Sequence, residues 1–280
     1  MTSDQTLNVL ACQIAIPATN DVAARDAHLT QSTDKVRREL ENGTVDLVVL
    51  PELSSIDYSR DAFRNLDTLA EPLDGPSFNA WRVVAQEFNT HILFSFPRRS
   101  ENDCHISAAV VGPTGELVGH YDKLHLAQYG ASMEKEYFER GDHLLVFDVA
   151  GFRLSTIICY DIRIPELART LVIDHGTDVI CHVGAYARDP SFYSWHHFAV
   201  SRALENQVYF LSLNRAGKNF GNSVFCPPWV DEVTTPHVFA AHDEDFKRLT
   251  LSRSEINAAR ETYSFLKDRR DGYDFDVEGN

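Results

Sequence analysis

Short apolar runs of buried-strand type alternate with amphipathic helical stretches along this chain, and that alternation restricts the fold more than any other feature. "LNVLACQIAI" (7–16) and "VDLVVL" (45–50) are apolar runs broken only by Asn8, Gln13 and Asp46. Such runs belong to strands covered on both faces rather than to strands with one wet side. Between them, residues 21–42 place Leu29, Val36 and Leu40 on one helical face, with Gly43 at the C-terminal end. From Gly75, Phe78, Trp81, Val84, Ala85 and Phe88 form a second helical stripe. Further strands are predicted over 91–96, 104–111, 117–123, 143–149, 152–158, 178–183 and 207–214, with helices over 165–175 and 192–206. The last fifty or so residues hold two short strand candidates and a helix near 253–266. No repeat, low-complexity tract or linker interrupts the series. The reading is one α/β domain with several strands buried on both faces.

A chain of 280 residues with 44% apolar content can build the core such a domain needs. Its formal charge of −15, with no basic stripe, repels phosphate backbones and argues against a nucleic-acid partner. The five cysteines, at 12, 104, 159, 181 and 226, are odd in number and widely spaced, with no C-x-x-C. That fits free thiols in a reducing cytoplasm better than a disulfide framework or a thiolate zinc site. "MTSDQTLNVLACQIAIP" has no basic stretch ahead of its apolar run and is read as a strand, not a signal peptide. No run reaches the roughly 20 apolar residues that cross a bilayer.

Four residues stand just after strands or in the loops beyond them: Glu52 in "VVLPEL", Lys123 in "HYDKLHL", Glu134 in "SMEKEYFERGD" and Cys159 in "IICYDIRIPE". Open α/β sheets collect chemistry beyond the carboxyl ends of their strands. Each residue also has a plain structural reading. A lone cysteine is most often an inert core thiol, and Glu52 would be a surface acid. Lys123 would be a solvated strand end, and Glu134 part of a charged face. The placement of Cys159 departs from its plain reading, because it ends an apolar strand and precedes a turn that Pro165 closes into a helix. On such a turn a thiol meets substrate while neighbouring backbone N–H groups face a developing oxyanion. A carboxylate at the end of "VDLVVLPE" is costly to bury without a task. His120, His125, His196 and His197 lack the spacing of metal ligands and read as structural. Neither a Gly-rich phosphate loop nor G-x-S-x-G is present.

Taken in order, "LPE", "YDKLHL", "EKEYFERGD" and "CYDIRIPELAR" resemble the carbon–nitrogen hydrolases, the nitrilase superfamily. "SRALENQVYFLSLNRAG" (201–217) and "LKDRRDGY" (266–273) extend the likeness over nearly the whole chain. The resemblance implies a four-layer α-β-β-α sandwich with a Glu-Lys-Cys centre. Glu52 matches the general base, Lys123 the catalytic lysine and Cys159 the nucleophile. Glu134 matches a second glutamate that holds the lysine and positions substrate. It also implies a homodimer or larger homo-oligomer, with a C-terminal arm from about 253 to 280 reaching across. The chemistry itself asks for a thiol, a base and oxyanion donors, here the Lys123 ammonium and the Tyr160 N–H. It leaves no role for a metal or an organic cofactor.

Cys-Tyr-Asp after the strand, where nitrilases of the superfamily carry Cys-Trp-Glu, resembles the amidase-like members, as does the short connection from Lys123 to Glu134. The expected substrate is a small primary amide, such as an ω-amide of a dicarboxylic acid. Carbamoyl-amino-acid or nitrile hydrolysis in the same family, acyl transfer from the thioester, and a catalytically silent binding protein are the alternatives. Two stretches depart from the family pattern, 182–197 and 225–239, the latter with Pro-Pro-Trp. Pocket candidates are Tyr58, Tyr129, Tyr186 and Trp195 as walls, with Arg163 and Arg188 as carboxylate ligands. Arg163 has the competing role of pairing with Glu166 or Asp161, and Arg188 that of a solvated loop residue.

Overall fold

The chain's strands sort into two six-stranded mixed sheets in a computed structural model that describes residues 4–101 and 103–279. The first sheet takes β1 (Thr6–Gln13), β2 (Leu47–Val49), β3 (His91–Ser100), β4 (Asp103–Val111), β5 (Leu117–Asp122) and β12 (Asp245–Ser252), in the order β12-β1-β2-β3-β4-β5. The second takes β6 (Val146–Val149), β7 (Phe152–Ile158), β8 (Val179–Gly184), β9 (Tyr209–Asn214), β10 (Val224–Cys226) and β11 (His237–Val238), in the order β11-β10-β9-β8-β7-β6. In each, three neighbouring strands run parallel: β1, β2 and β3 in one, β7, β8 and β9 in the other.

The helices are α1 (Val22–Leu40), α2 (Arg60–Arg64), α3 (Leu66–Leu69), α4 (Pro76–Phe88), α5 (Pro165–Ile173), α6 (Phe192–Asn206), α7 (Arg253–Thr262) and α8 (Phe265–Asp268). Alternation along the strands explains the layering. Leu10, Cys12, Val48, Ile92 and Phe94 face one way and pack with Val36, Leu40, Trp81 and Val84 of α1 and α4. Their neighbours Val9, Ala11, Leu47, Val49 and Leu93 face the other way, into a core shared with the second sheet and with α5 and α6. The result is helix, sheet, sheet, helix, the sandwich that the resemblance implied.

Two expectations near the C-terminus change. One strand runs for eight residues and returns to pair antiparallel with β1, from Thr6↔Ser252 to Gln13↔Asp245. The helix expected over 253–266 breaks at Tyr263, which is extended (φ −123°, ψ 110°). Tertiary contacts account for the break: Tyr263 stacks on Trp229 at 3.6 Å, and its carbonyl accepts from the Gln207 amide at 2.8 Å. The Pro-Pro-Trp of the unusual 225–239 stretch thus serves as a partner for the C-terminal segment. Residues 267–279 are exposed. No helix among the described residues is long and apolar enough to cross a membrane.

Candidate active site

Three strands of the two sheets end close together and set the site. Beyond β2 stands Glu52, beyond β5 Lys123, and beyond β7 Cys159, at the start of a 3-10 turn over Cys159–Arg163. Glu134 opens another 3-10 turn, Glu134–Glu136, whose connection to Lys123 is closed by the Glu134 N–H donating to the Ala127 carbonyl at 3.0 Å. Glu52, Lys123 and Glu134 are fully buried, and Cys159 is 9% exposed.

The Lys123 ammonium bridges two carboxylates, donating to Glu52 Oε1 at 2.8 Å and to Glu134 Oε1 at 2.7 Å. Glu134 is the more fully bonded of the two. Its Oε1 also accepts from the Tyr58 hydroxyl at 2.7 Å, and its Oε2 from the Ala127 N–H at 2.8 Å. Glu52 keeps one oxygen in reserve, since Oε2 is buried without a hydrogen-bond partner. A buried carboxylate oxygen left unpaired is costly and calls for a reason, for which a proton acceptor beside a thiol is one. Burial raises the Glu52 carboxyl above its usual range, against the pull of the Lys123 ammonium, with Glu134 adding to the rise. For Lys123, burial alone would lower the pKa, but the Glu134 and Glu52 carboxylates outweigh it and hold the ammonium well above its usual value. The Cys159 thiol is pushed well above the ordinary cysteine range by burial and then by the Glu52 charge. Lys123 and the Ala185 backbone N–H oppose that rise. The resting arrangement therefore favours a neutral thiol, beside a Lys123 ammonium held between two carboxyl groups.

Backbone strain is stored at the first and third strand ends. Cys159 and Leu53, the residue after Glu52, are both left-handed (φ +46° each), a conformation that costs a non-glycine residue about 1–3 kcal/mol. Arg215, just past β9, is buried and clamps the Glu52 loop: its Nη2 donates to the carbonyls of Glu52, Leu53 and Ile56 at 3.0–3.2 Å. Asp161 does the same for the Cys159 turn, accepting from the Ile158 N–H (2.9 Å), the Tyr121 hydroxyl (2.7 Å) and the His125 backbone N–H (3.0 Å). It thereby ties the nucleophile's turn to the strand exit that carries Lys123. Neither Arg215 nor Asp161 stood out as a site residue in the sequence. The only signal for them was membership of "NRAG" and "CYDIR".

The remaining candidates divide. Tyr58 lies against the centre through Glu134. Tyr129 is 38% exposed and packs beside Tyr160 at 5.5 Å, at the rim. Arg163 does not pair with Glu166 or Asp161, because Asp161 is saturated by other donors. Its Nε donates to the Tyr129 hydroxyl at 3.1 Å and its Nη1 reaches Ser194 Oγ at 3.4 Å, while Nη2 is buried and unpartnered. Arg188 is exposed in a loop, as one of its two expected roles had it, and spends its donors on the carbonyls of Phe220 (3.0 Å) and Ala241 (2.6 Å) and on Asn222 Oδ1 (3.3 Å). It is a strut between loops. Trp195 is fully buried and stacks on Tyr186 at 4.6 Å, behind the site rather than on its open side. Tyr186 gives its hydroxyl to the Cys159 carbonyl at 2.7 Å.

Residues 8–240 match the carbon-nitrogen hydrolase family. The chain belongs to that family. The chain is 29% identical to the 2-oxoglutaramate amidase of Bacillus subtilis over 243 residues, which cover 84% of this chain and 89% of that protein. It is 27% identical to the human omega-amidase NIT2 over 254 residues, covering 85% and 90%. A probable nitrilase of Schizosaccharomyces pombe is 26% identical over 274 residues, covering 93% and 94%. Among solved structures, Saccharomyces cerevisiae Nit3, a member of branch 10 of the nitrilase superfamily, superposes with a TM-score of 0.82 at 23% identity, covering 95% of this chain and 97% of that one. That likeness shows the fold. Together these relationships make the protein a carbon–nitrogen hydrolase.

Proposed function

We propose that the protein is a cysteine amidohydrolase, cleaving a small carboxamide through a thioester on Cys159. The observation that carries this reading is the unpaired, buried Glu52 Oε2 in the row that Lys123 anchors. A base with one free oxygen and a raised carboxyl can take the thiol proton as sulfur attacks the amide carbon. The C=O electrons move onto oxygen, and the oxyanion is held by the Lys123 ammonium and the Tyr160 N–H. As the intermediate collapses, protonated Glu52 gives its proton to nitrogen, the C–N bond breaks and ammonia leaves. Water then loses a proton to the same carboxylate and attacks the thioester. The acid departs and the thiol is restored. Glu134 keeps Lys123 protonated and in place throughout.

Two of the three relatives named above are a 2-oxoglutaramate amidase and an omega-amidase, which supports the amidase reading, while the third is a probable nitrilase. In one mutant of the Nesterenkonia sp. AN1 amidase the acetamide moiety of fluoroacetamide is added covalently at the active site cysteine. Arg163, four residues after Cys159, carries a buried Nη2 without a partner and is our candidate ligand for a substrate carboxylate. That favours ω-amides of dicarboxylic acids. The test is ammonia release across matched sets of small amides, ω-amides, carbamoyl amino acids and nitriles, with hydroxylamine added to reveal acyl transfer. Turnover confined to nitriles or to carbamoyl compounds overturns the amidase reading.

A further inference from the structure

The carbonyl of Cys159 accepts two hydrogen bonds, and both come from β8 and the turn after it. Tyr186 Oη–H donates at 2.7 Å, and His182 Nε2 lies 3.0 Å away. The proton positions behind this carbonyl follow from donor chemistry. Trp195 Nε1 can only donate, and it does so to Ser212 Oγ at 2.7 Å. The Cys159 carbonyl can only accept, so the neutral His182 imidazole carries its proton on Nε2, aimed at that oxygen, and its bare Nδ1 accepts from the Ser212 hydroxyl 2.6 Å away. Burial keeps this histidine neutral, with its pKa pushed down to about 4. The path from Trp195 through Ser212 and His182 to Cys159 is one directed relay of buried groups. Tyr186 is pinned by its stack on Trp195 (4.6 Å, 9°) and by Gly184, where an added Cβ would lie 2.8 Å from the tyrosine ring.

The acceptor at the end of the relay matters because of what shares its peptide plane. The Cys159 C=O and the Tyr160 N–H are two ends of one planar amide. Two donors on the oxygen fix that plane in space and polarise it, which makes the N–H a stronger donor. They also hold Cys159 in its left-handed conformation (φ +46°), which a free turn would leave. We infer that His182 and Tyr186, backed by Ser212 and Trp195, are positioning residues that orient and polarise the Cys159–Tyr160 peptide so that the Tyr160 N–H serves as the oxyanion donor. This deepens the proposed amidase reading and rests on it for the natural reaction. It gives the unusual 182–197 stretch a role behind the nucleophile rather than in the pocket wall.

The test separates oxyanion chemistry from thiol chemistry at the same sulfur. Acylation of Cys159 by p-nitrophenyl acetate forms a tetrahedral oxyanion and is read as a burst of p-nitrophenolate. Exchange with methyl methanethiosulfonate forms none and is followed at Cys159 by mass spectrometry. Tyr186→Phe, which keeps the ring and its stack, and His182→Leu each lower the acylation rate by about tenfold or more, a tenth to a hundredth of the loss when a direct oxyanion donor is removed. KM is unchanged, and exchange stays within about twofold of wild type. His182→Gln, whose amide can donate in place of Nε2–H, recovers most of the rate. Equal falls in acylation and exchange overturn the inference, since the relay would then only place the thiol. Unchanged acylation in Tyr186→Phe overturns it also, and that variant decides the matter if His182→Leu does not fold. Wild-type protein that the ester fails to acylate overturns it as well. Wild-type protein that the ester acylates but that frees no ammonia from any amide overturns the amidase reading alone, with the variant comparison intact.

Discussion

Lys123 Nζ and Glu52 Oε1 meet at 2.8 Å with neither side chain exposed to solvent. A pair so placed is stable only while both partners are present, because removal of one leaves an uncompensated buried charge. Here the charge left behind is doubled, since Glu134 depends on the same ammonium.

Lys123→Ala is therefore expected to lower kcat by at least ~10², the scale for loss of an oxyanion donor. It is also expected to cost roughly 3–5 kcal/mol of stability, as breaking a buried pair does. Steady-state kinetics and urea denaturation measure both. A variant with raised KM and normal kcat would make Lys123 a binding residue and require a different mechanism.

Cys159→Ala and Cys159→Ser abolish turnover while the fold stays intact. None of the other four free cysteines stands at a strand end beside Glu52 and Lys123, so the chain has no substitute thiol. Activity assays on purified variants, alongside thermal melts within a few degrees of wild type, check this. More than trace amidase activity in Cys159→Ala contradicts the assignment.

Amides are expected to outrun matched nitriles by at least ~10² in kcat/KM, about 2.7 kcal/mol of differential transition-state binding. An sp² amide gives a tetrahedral oxyanion that the Lys123 ammonium and the Tyr160 N–H can hold. A linear nitrile first gives a planar thioimidate with its developing charge on nitrogen. Paired kinetics decide the matter, and equal efficiency on nitriles would move the protein to the nitrilase branch.

Acid lowers stability through two buried histidines, His28 and His182, whose imidazoles burial depresses from 6.5 to about 4. The folded state keeps them neutral, while the unfolded chain protonates below about 6.5. Their contribution is thus complete above that pH and is lost as pH falls toward 4, by at most about 3 kcal/mol each. Glu52 and Glu71 act in the opposite direction, since burial raises both carboxyls. The difference between wild type and His182→Leu isolates one term. Urea denaturation at pH 7 and pH 4.5 should show the gap between the two proteins narrowing in acid. A gap that is constant with pH contradicts a neutral, buried His182.

The layers of the fold were legible in the chain because burial writes itself locally. Apolar runs such as 45–50 and the stripe from Phe78 to Phe88 carry their own periodicity; the first holds the shorter strand β2, Leu47–Val49, and the second lies on α4. The strand-end positions of Glu52, Lys123 and Cys159 were legible for the same reason, since each follows an apolar run. Their convergence rested on an ordered set of motifs, and the tertiary structure supplied the distances.

What local pattern could not decide was how polar groups are shared among segments far apart. A guanidinium has five donors and no periodicity, so "CYDIRIPE" could not show that Arg163 turns to Tyr129 while Asp161 is saturated by Tyr121, His125 and Ile158. Arg188 became a strut only because the 217–222 loop and Ala241 lie beside it in space. Helical propensity past Thr262 gave way to the stack of Tyr263 on Trp229. His182, Tyr186, Trp195 and Ser212 acquire their relation to Cys159 only where β7, β8 and β9 lie side by side. By itself the sequence determined which residues are buried and which strand ends carry reactive groups, because hydrophobic burial follows short-range order. Tertiary structure alone decided which donor meets which acceptor, because a hydrogen bond demands positions set to a few tenths of an ångström by segments distant in the chain.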